Sequence, residues 1–91
     1  MTTYEIVPDQ SITALAHIPS LTARSLDTVY STLRRIATVA DVNGAVSLSG
    51  TYAVCDNVLI ARVRQLEPFY SQVTDSWCRV DSDYRTVEVT R

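Results

Sequence analysis

Tyr52-Ala53-Val54-Cys55-Asp56-Asn57-Val58-Leu59-Ile60-Ala61-Arg62-Val63-Arg64 is the stretch that decides how the chain is read. Two β-prone runs flank Asp56-Asn57, and Asp and Asn both tolerate the left-handed backbone of a two-residue hairpin turn. A helix over 51–65 is the weaker reading, because β-branched residues dominate. With the turn at Asp56-Asn57, Cys55 opposes Val58, Val54 opposes Leu59, Ala53 opposes Ile60 and Tyr52 opposes Ala61. Opposed residues share a face and faces alternate along a strand. One face then holds Tyr52, Val54, Leu59, Ala61 and Val63, and is expected to pack on helices. The other holds Ala53, Cys55, Val58 and Ile60, with Arg62 and Arg64 at its end.

Upstream, Val46 and Leu48 extend the β reading over 45–65. Before them, 20–40 carries the strongest helical pattern. Leu26, Val29, Tyr30, Leu33, Ile36, Ala37 and Ala40 fall at i, i+3, i+4, i+7 spacing. Ser20, Thr22 and Ser25 are candidate N-caps, and Asp27 suits the positive helix end. Asn43-Gly44 supplies a left-handed stop. Tyr4 to Val7 reads as a strand closed by Pro8-Asp9-Gln10, and residues 12–18 as a short strand or apolar loop ending at Pro19.

Downstream, Pro68 suits the first turn of a helix, and Phe69, Tyr70, Val73, Trp77 and Cys78 form a stripe at helical spacing. Asp81-Ser82-Asp83 breaks it, and Tyr84 to Thr90 reads as a closing strand. The order is β-α-β-β-α-β. This predicts a single α+β domain over 1–91 with a ferredoxin-like two-layer sandwich, an antiparallel sheet carrying two helices on one face.

Composition narrows the function classes. With 46% apolar and 20% charged residues, the chain has enough apolar side chains for a core and too few charges for disorder. A net charge of −2 gives no general attraction to nucleic acid or an anionic membrane. No apolar run approaches membrane-spanning length, and the first residues lack the basic start and apolar run of a signal peptide, so an intracellular, cytoplasmic protein is expected. All eight basic residues are Arg and none is Lys. This reads as a coding bias, from a GC-rich genome or a compact viral or phage genome, and suggests a viral or phage accessory protein.

Few residues offer chemistry. Cys55 and Cys78 lack paired spacing and are expected as reduced thiols. One histidine and two cysteines do not make a zinc site, and Asp75, Asp81 and Asp83 lack the Gly and terminal Glu of a calcium loop. Two glycines cannot build a Gly-rich phosphate loop. His17 has no assignable nucleophile and orienting acid, and a structural role is expected. No cofactor or metal is therefore expected. Arg34, Arg35, Arg62 and Arg64 are the candidate anion or nucleic-acid contacts, although solvated arginines are the simpler reading and an aliphatic face argues against base stacking.

The expected function is a non-enzymatic interaction module. It acts as a homodimer, or docks on another protein, through the open sheet face of Ala53, Cys55, Val58 and Ile60. The alternatives are a small nucleic-acid-binding protein using the arginines, and a small enzyme whose site forms at a subunit interface.

Overall fold

Residues 2–89 are described in the structure, a computed structural model. Five strands form the larger sheet: β1 (Tyr4–Pro8), β2 (Leu21–Ala23), β3 (Val46–Ser49), β4 (Tyr52–Cys55) and β5 (Val58–Gln65). Their order is β2-β1-β5-β4-β3, and every described pairing is antiparallel. A second antiparallel sheet contains β6 (Phe69–Ser71), β7 (Ser76–Val80) and β8 (Thr86–Glu88), with β7 in the middle. A 3-10 turn at Thr13–Leu15 follows β1, and helix α1 (Leu26–Val39) follows β2.

The helix starts where a cap is available. The Ser25 side chain accepts the Thr28 N–H, and the backbone at Ser25 is extended. Residues 21–23, expected inside the helix, instead form edge strand β2. The helix stops at Asp41, which takes φ 58°. Asp41 N–H donates to Thr38 O and Val42 N–H to Ala37 O, at 3.1 and 2.9 Å. This is the left-handed stop of a Schellman end, supplied by an aspartate two residues earlier than Asn43-Gly44.

Chain geometry explains the layout. Strands β2 and β3 lie at opposite edges of the larger sheet, and α1 joins them. Its 14 residues span about 21 Å, close to the roughly 19 Å width of five strands. One diagonal helix is therefore long enough to cover one face. Val29, Leu33, Ile36 and Ala37 pack there with Ile6, Ala23, Ala53, Cys55, Ile60, Ala61, Val63 and Leu15. Four of these are alanines, which let the helix backbone approach closely.

The ferredoxin-like sandwich expected from the sequence is not what forms. The described residues hold one α-helix and eight strands in two antiparallel sheets. The region 68–79, read as the second helix, is the β6–β7 hairpin. Phe69 pairs with Cys78, Tyr70 with Trp77 and Ser71 with Ser76. The stripe at helical spacing was produced by a sequence that mirrors itself about 73–74. Aromatic and β-branched residues there favour the pleated surface, and Asp75, at φ 52°, closes the loop. Residues 12–18 form no strand. The closing strand covers only Thr86–Glu88, and its expected end at Thr90 lies outside the described residues.

The β4–β5 turn forms at Asp56-Asn57, with φ 50° and 61°, as a two-residue hairpin needs. Cys55 pairs with Val58 and Val54 with Leu59. The register then shifts, and Ala53 pairs with Ala61 and Tyr52 with Arg62. Ile60 is the extra residue of a β-bulge. The expected faces are inverted on β4 and at Leu59 and Ile60, and the bulge returns Ala61 and Val63 to the helix-facing side on which they were expected. Ala53, Cys55, Ile60, Ala61 and Val63 face α1, while Tyr52, Val54, Leu59, Arg62 and Arg64 face away.

Candidate functional site

The residues singled out from sequence are dispersed by this fold. Ala53, Cys55 and Ile60, assigned to an open face, are fully buried in the core. Val58 alone of the four is exposed, at the hairpin tip beside the turn. Arg34 and Arg35 are exposed on α1, which covers one face of the larger sheet, whereas Arg62 and Arg64 project from the other. The four arginines therefore do not form one patch. His17 is exposed in the loop before β2. Among the described residues no cluster of His, Cys, Asp or Glu is placed to hold a metal ion, and no buried polar or charged side chain occurs. Cys55 and Cys78 are free thiols in different sheets.

Arg62 and Arg64 have structural partners. The Arg62 guanidinium lies 4.1 Å from the Tyr52 ring centroid and 4.0 Å from that of Tyr84. Its Nε donates to Thr51 O, and its Nη2 to Thr51 Oγ1. Tyr84 belongs to the turn between β7 and β8, so this stack joins the smaller sheet to the outward face of the larger one. Arg64 pairs with Glu5 at 2.9 Å and donates through Nη1 to Val80 O, making a second tie between the sheets.

The turn that delivers Tyr84 is tightly built. The Asp81 carboxylate accepts the N–H groups of Asp83 and Arg85, while Tyr84 N–H donates to Asp81 O. The Arg85 bond, aided by that of Asp83, holds the Asp81 carboxyl below its ordinary range. Tyr84 takes φ 64°, uncommon for an aromatic residue and costly by about 1–3 kcal/mol. Burial, reinforced by the Glu5 carboxylate, raises the Tyr84 phenol pKa against the opposing pull of Arg62 and Arg64. Strain at Tyr84 is thus offset by its stack on Arg62. Replacing Arg62 with Met keeps an apolar stem but removes the cation and its donors. The expected loss is about 1–3 kcal/mol. Native-state hydrogen exchange should show protection falling in 69–88 before it falls in 4–65. Equal loss across both sheets would mean that Arg62 does not join them.

Exposed aromatic surface lies on the outward face of the smaller sheet. Its inner face carries Phe69, Cys78 and Val80. Phe69 and Val80, with Tyr4, Leu48 and Val63, line a cavity of about 300 Å³ between the sheets. The outward face carries Tyr70 and Trp77 side by side, then Arg79 beside Val87. Tyr70 and Trp77 are each 48% exposed, with ring centroids 5.9 Å apart in an edge-to-face arrangement. The Tyr70 hydroxyl donates to Asp75, and that bond raises its pKa. Arg79 is exposed and lies two positions beyond Trp77 on the same face of β7.

The helical reading of 68–79 put Tyr70 and Trp77 on one stripe with Phe69 and Cys78 and missed this face. The signal was present as mirror symmetry, Phe69-Tyr70-Ser71 against Ser76-Trp77-Cys78, which a hairpin turns into three cross-strand pairs. No family model matches the chain, and no curated protein or solved structure is significantly similar to it.

Proposed function

We propose that the protein is a non-enzymatic interaction module that self-associates through the outward face of the smaller sheet. The observation that carries this reading is the half-exposed Tyr70–Trp77 pair. Tyr, Trp and Arg are the residues that most often anchor protein interfaces, because each buries a large area while satisfying a polar group. A second copy is the favoured occupant because the face complements itself. It holds a cation, Arg79, and two residues away an electron-rich ring, Trp77. A two-fold axis between them lays the Arg79 of each copy over the Trp77 of the other, and the same rotation gives both contacts.

The test is light scattering and sedimentation of the intact chain, with circular dichroism as the check on folding. The expected wild type is a dimer at micromolar concentration. Arg79→Glu should weaken association by about tenfold or more, ~1.4 kcal/mol per decade, while the fold persists. A wild type that stays monomeric at high micromolar concentration rejects self-association. So does an Arg79→Glu variant that dimerises as well as the parent.

A further inference from the structure

A groove of about 330 Å³ opens between α1 and the edge of the larger sheet. Thr32, Arg35, Ile36 and Val39 form its helical wall, and Ile18, Leu21 and Thr22 form the wall opposite. The helical residues follow i, i+3, i+4, i+7 spacing, so the wall is a stripe continuous with the core at Ile36. Leu21 and Thr22 belong to β2, which is outermost in its sheet and pairs with β1 on one side only. Its other side presents backbone groups that can accept a further strand. Strand β2 is short, but Leu21–Ala23 contains no Pro, no charge and no bulge that would block a further strand.

Charge adds a second observation. Arg35 is exposed at this groove, and among the described residues it makes no ion pair and no hydrogen bond. In contrast, Arg64 is paired with Glu5, and Arg62 is held by two rings and Thr51. An apolar trough beside an open strand edge, with an unpaired guanidinium in its wall, suits an extended peptide bearing a carboxylate.

We propose that this groove binds such a peptide as a strand added to β2. An apolar side chain sits against Ile36 and Val39, and a carboxylate pairs with Arg35. The site uses the other sheet from the Trp77 face and does not depend on self-association.

The test starts from selection of a random octapeptide library with free C-termini against the intact protein. The best peptide is then measured by fluorescence polarisation and by amide chemical shifts. Enriched peptides should alternate apolar and polar residues, and shifts should centre on 21–23 and 32–39. Arg35→Gln, an exposed change, should weaken binding by about tenfold or more. Capping the peptide C-terminus as an amide and converting each acidic side chain to its amide identify which carboxylate Arg35 holds, since that change alone reproduces the loss. N-methylation of alternate peptide amides should abolish binding. The proposal is overturned by a library showing no enrichment, by equal affinity for wild type and Arg35→Gln, by shifts confined to 69–88, or by binding that survives N-methylation at every position.

Discussion

Replacing Ile60 with Asp is expected to unfold the protein rather than to release a folded monomer. Ile60 is fully buried and packs in the cluster that contains Leu15, Leu33 and Val63. Losing its aliphatic side chain costs about 2–5 kcal/mol. The new carboxylate would sit where no buried polar side chain is described, and an unpaired buried charge adds several kcal/mol more. A small domain has only about 5–15 kcal/mol in total. Thermal melting by circular dichroism should show no cooperative transition for Ile60→Asp at neutral pH. Ile60→Val should melt cooperatively with a loss of about 0.5–1.5 kcal/mol. A cooperative Ile60→Asp transition near that of wild type would place Ile60 outside the core and remove the bulge from the account.

The second large effect separates Leu33 from Trp77. Leu33 is fully buried on α1, and Leu33→Ala should cost about 2–5 kcal/mol in a denaturant titration. If residues 68–79 were a helix on the sheet, Trp77→Ala would cost at least as much, about 3–5 kcal/mol. In the β6–β7 hairpin, Trp77 is 48% exposed and meets Tyr70 edge to face. Its truncation should therefore cost about 1 kcal/mol, mostly the aromatic pair. Similar losses at the two positions would contradict the outward placement of Trp77. At concentrations where the chain dimerises, Trp77→Ala would also lose association, so the titration belongs at low concentration.

These two variants show what could be read from the sequence. Helix α1 was legible because its apolar positions repeat over several turns and Ser25 stands just before them. The β4–β5 turn was legible because Asp56 and Asn57 both accept positive φ. The pairs nearest the turn, Cys55 with Val58 and Val54 with Leu59, followed directly. The face assignment failed because alternation does not say which face meets the helix. Ala53 and Cys55, not Tyr52 and Val54, lie under α1, and the bulge at Ile60 then adds one to the running count, so that Ala61 and Val63 share their face. Nothing in the composition of Leu59-Ile60-Ala61 marks the insertion. The two buried side chains in succession arise from packing under α1, and Asp9 N–H, just past the end of β1, donates to Ile60 O at 2.9 Å.

The candidate site was less legible. Tyr70 and Trp77 were visible as residues but were given the wrong period, and period decides whether an aromatic points inward or out. The Arg62 stack needs Tyr52 and Tyr84, which are distant in sequence and meet only once the smaller sheet is in place. The Arg35 groove depends on β2 being an edge. That property belongs to sheet order, which local patterning does not encode.

Each sheet holds one sulfur atom, and both are hidden: Cys55 is 0% exposed and Cys78 1% exposed. A thiol reacts with an alkylating reagent only as a solvated thiolate, so each cysteine waits for its own surroundings to open. The chain thus carries two native chronometers with different mass signatures after digestion. Brief pulses of iodoacetamide followed by peptide mass analysis would time the opening of the smaller sheet and of the larger one in a single sample. No probe has to be engineered, and the ratio of the two rates states directly how far the protein behaves as one cooperative unit.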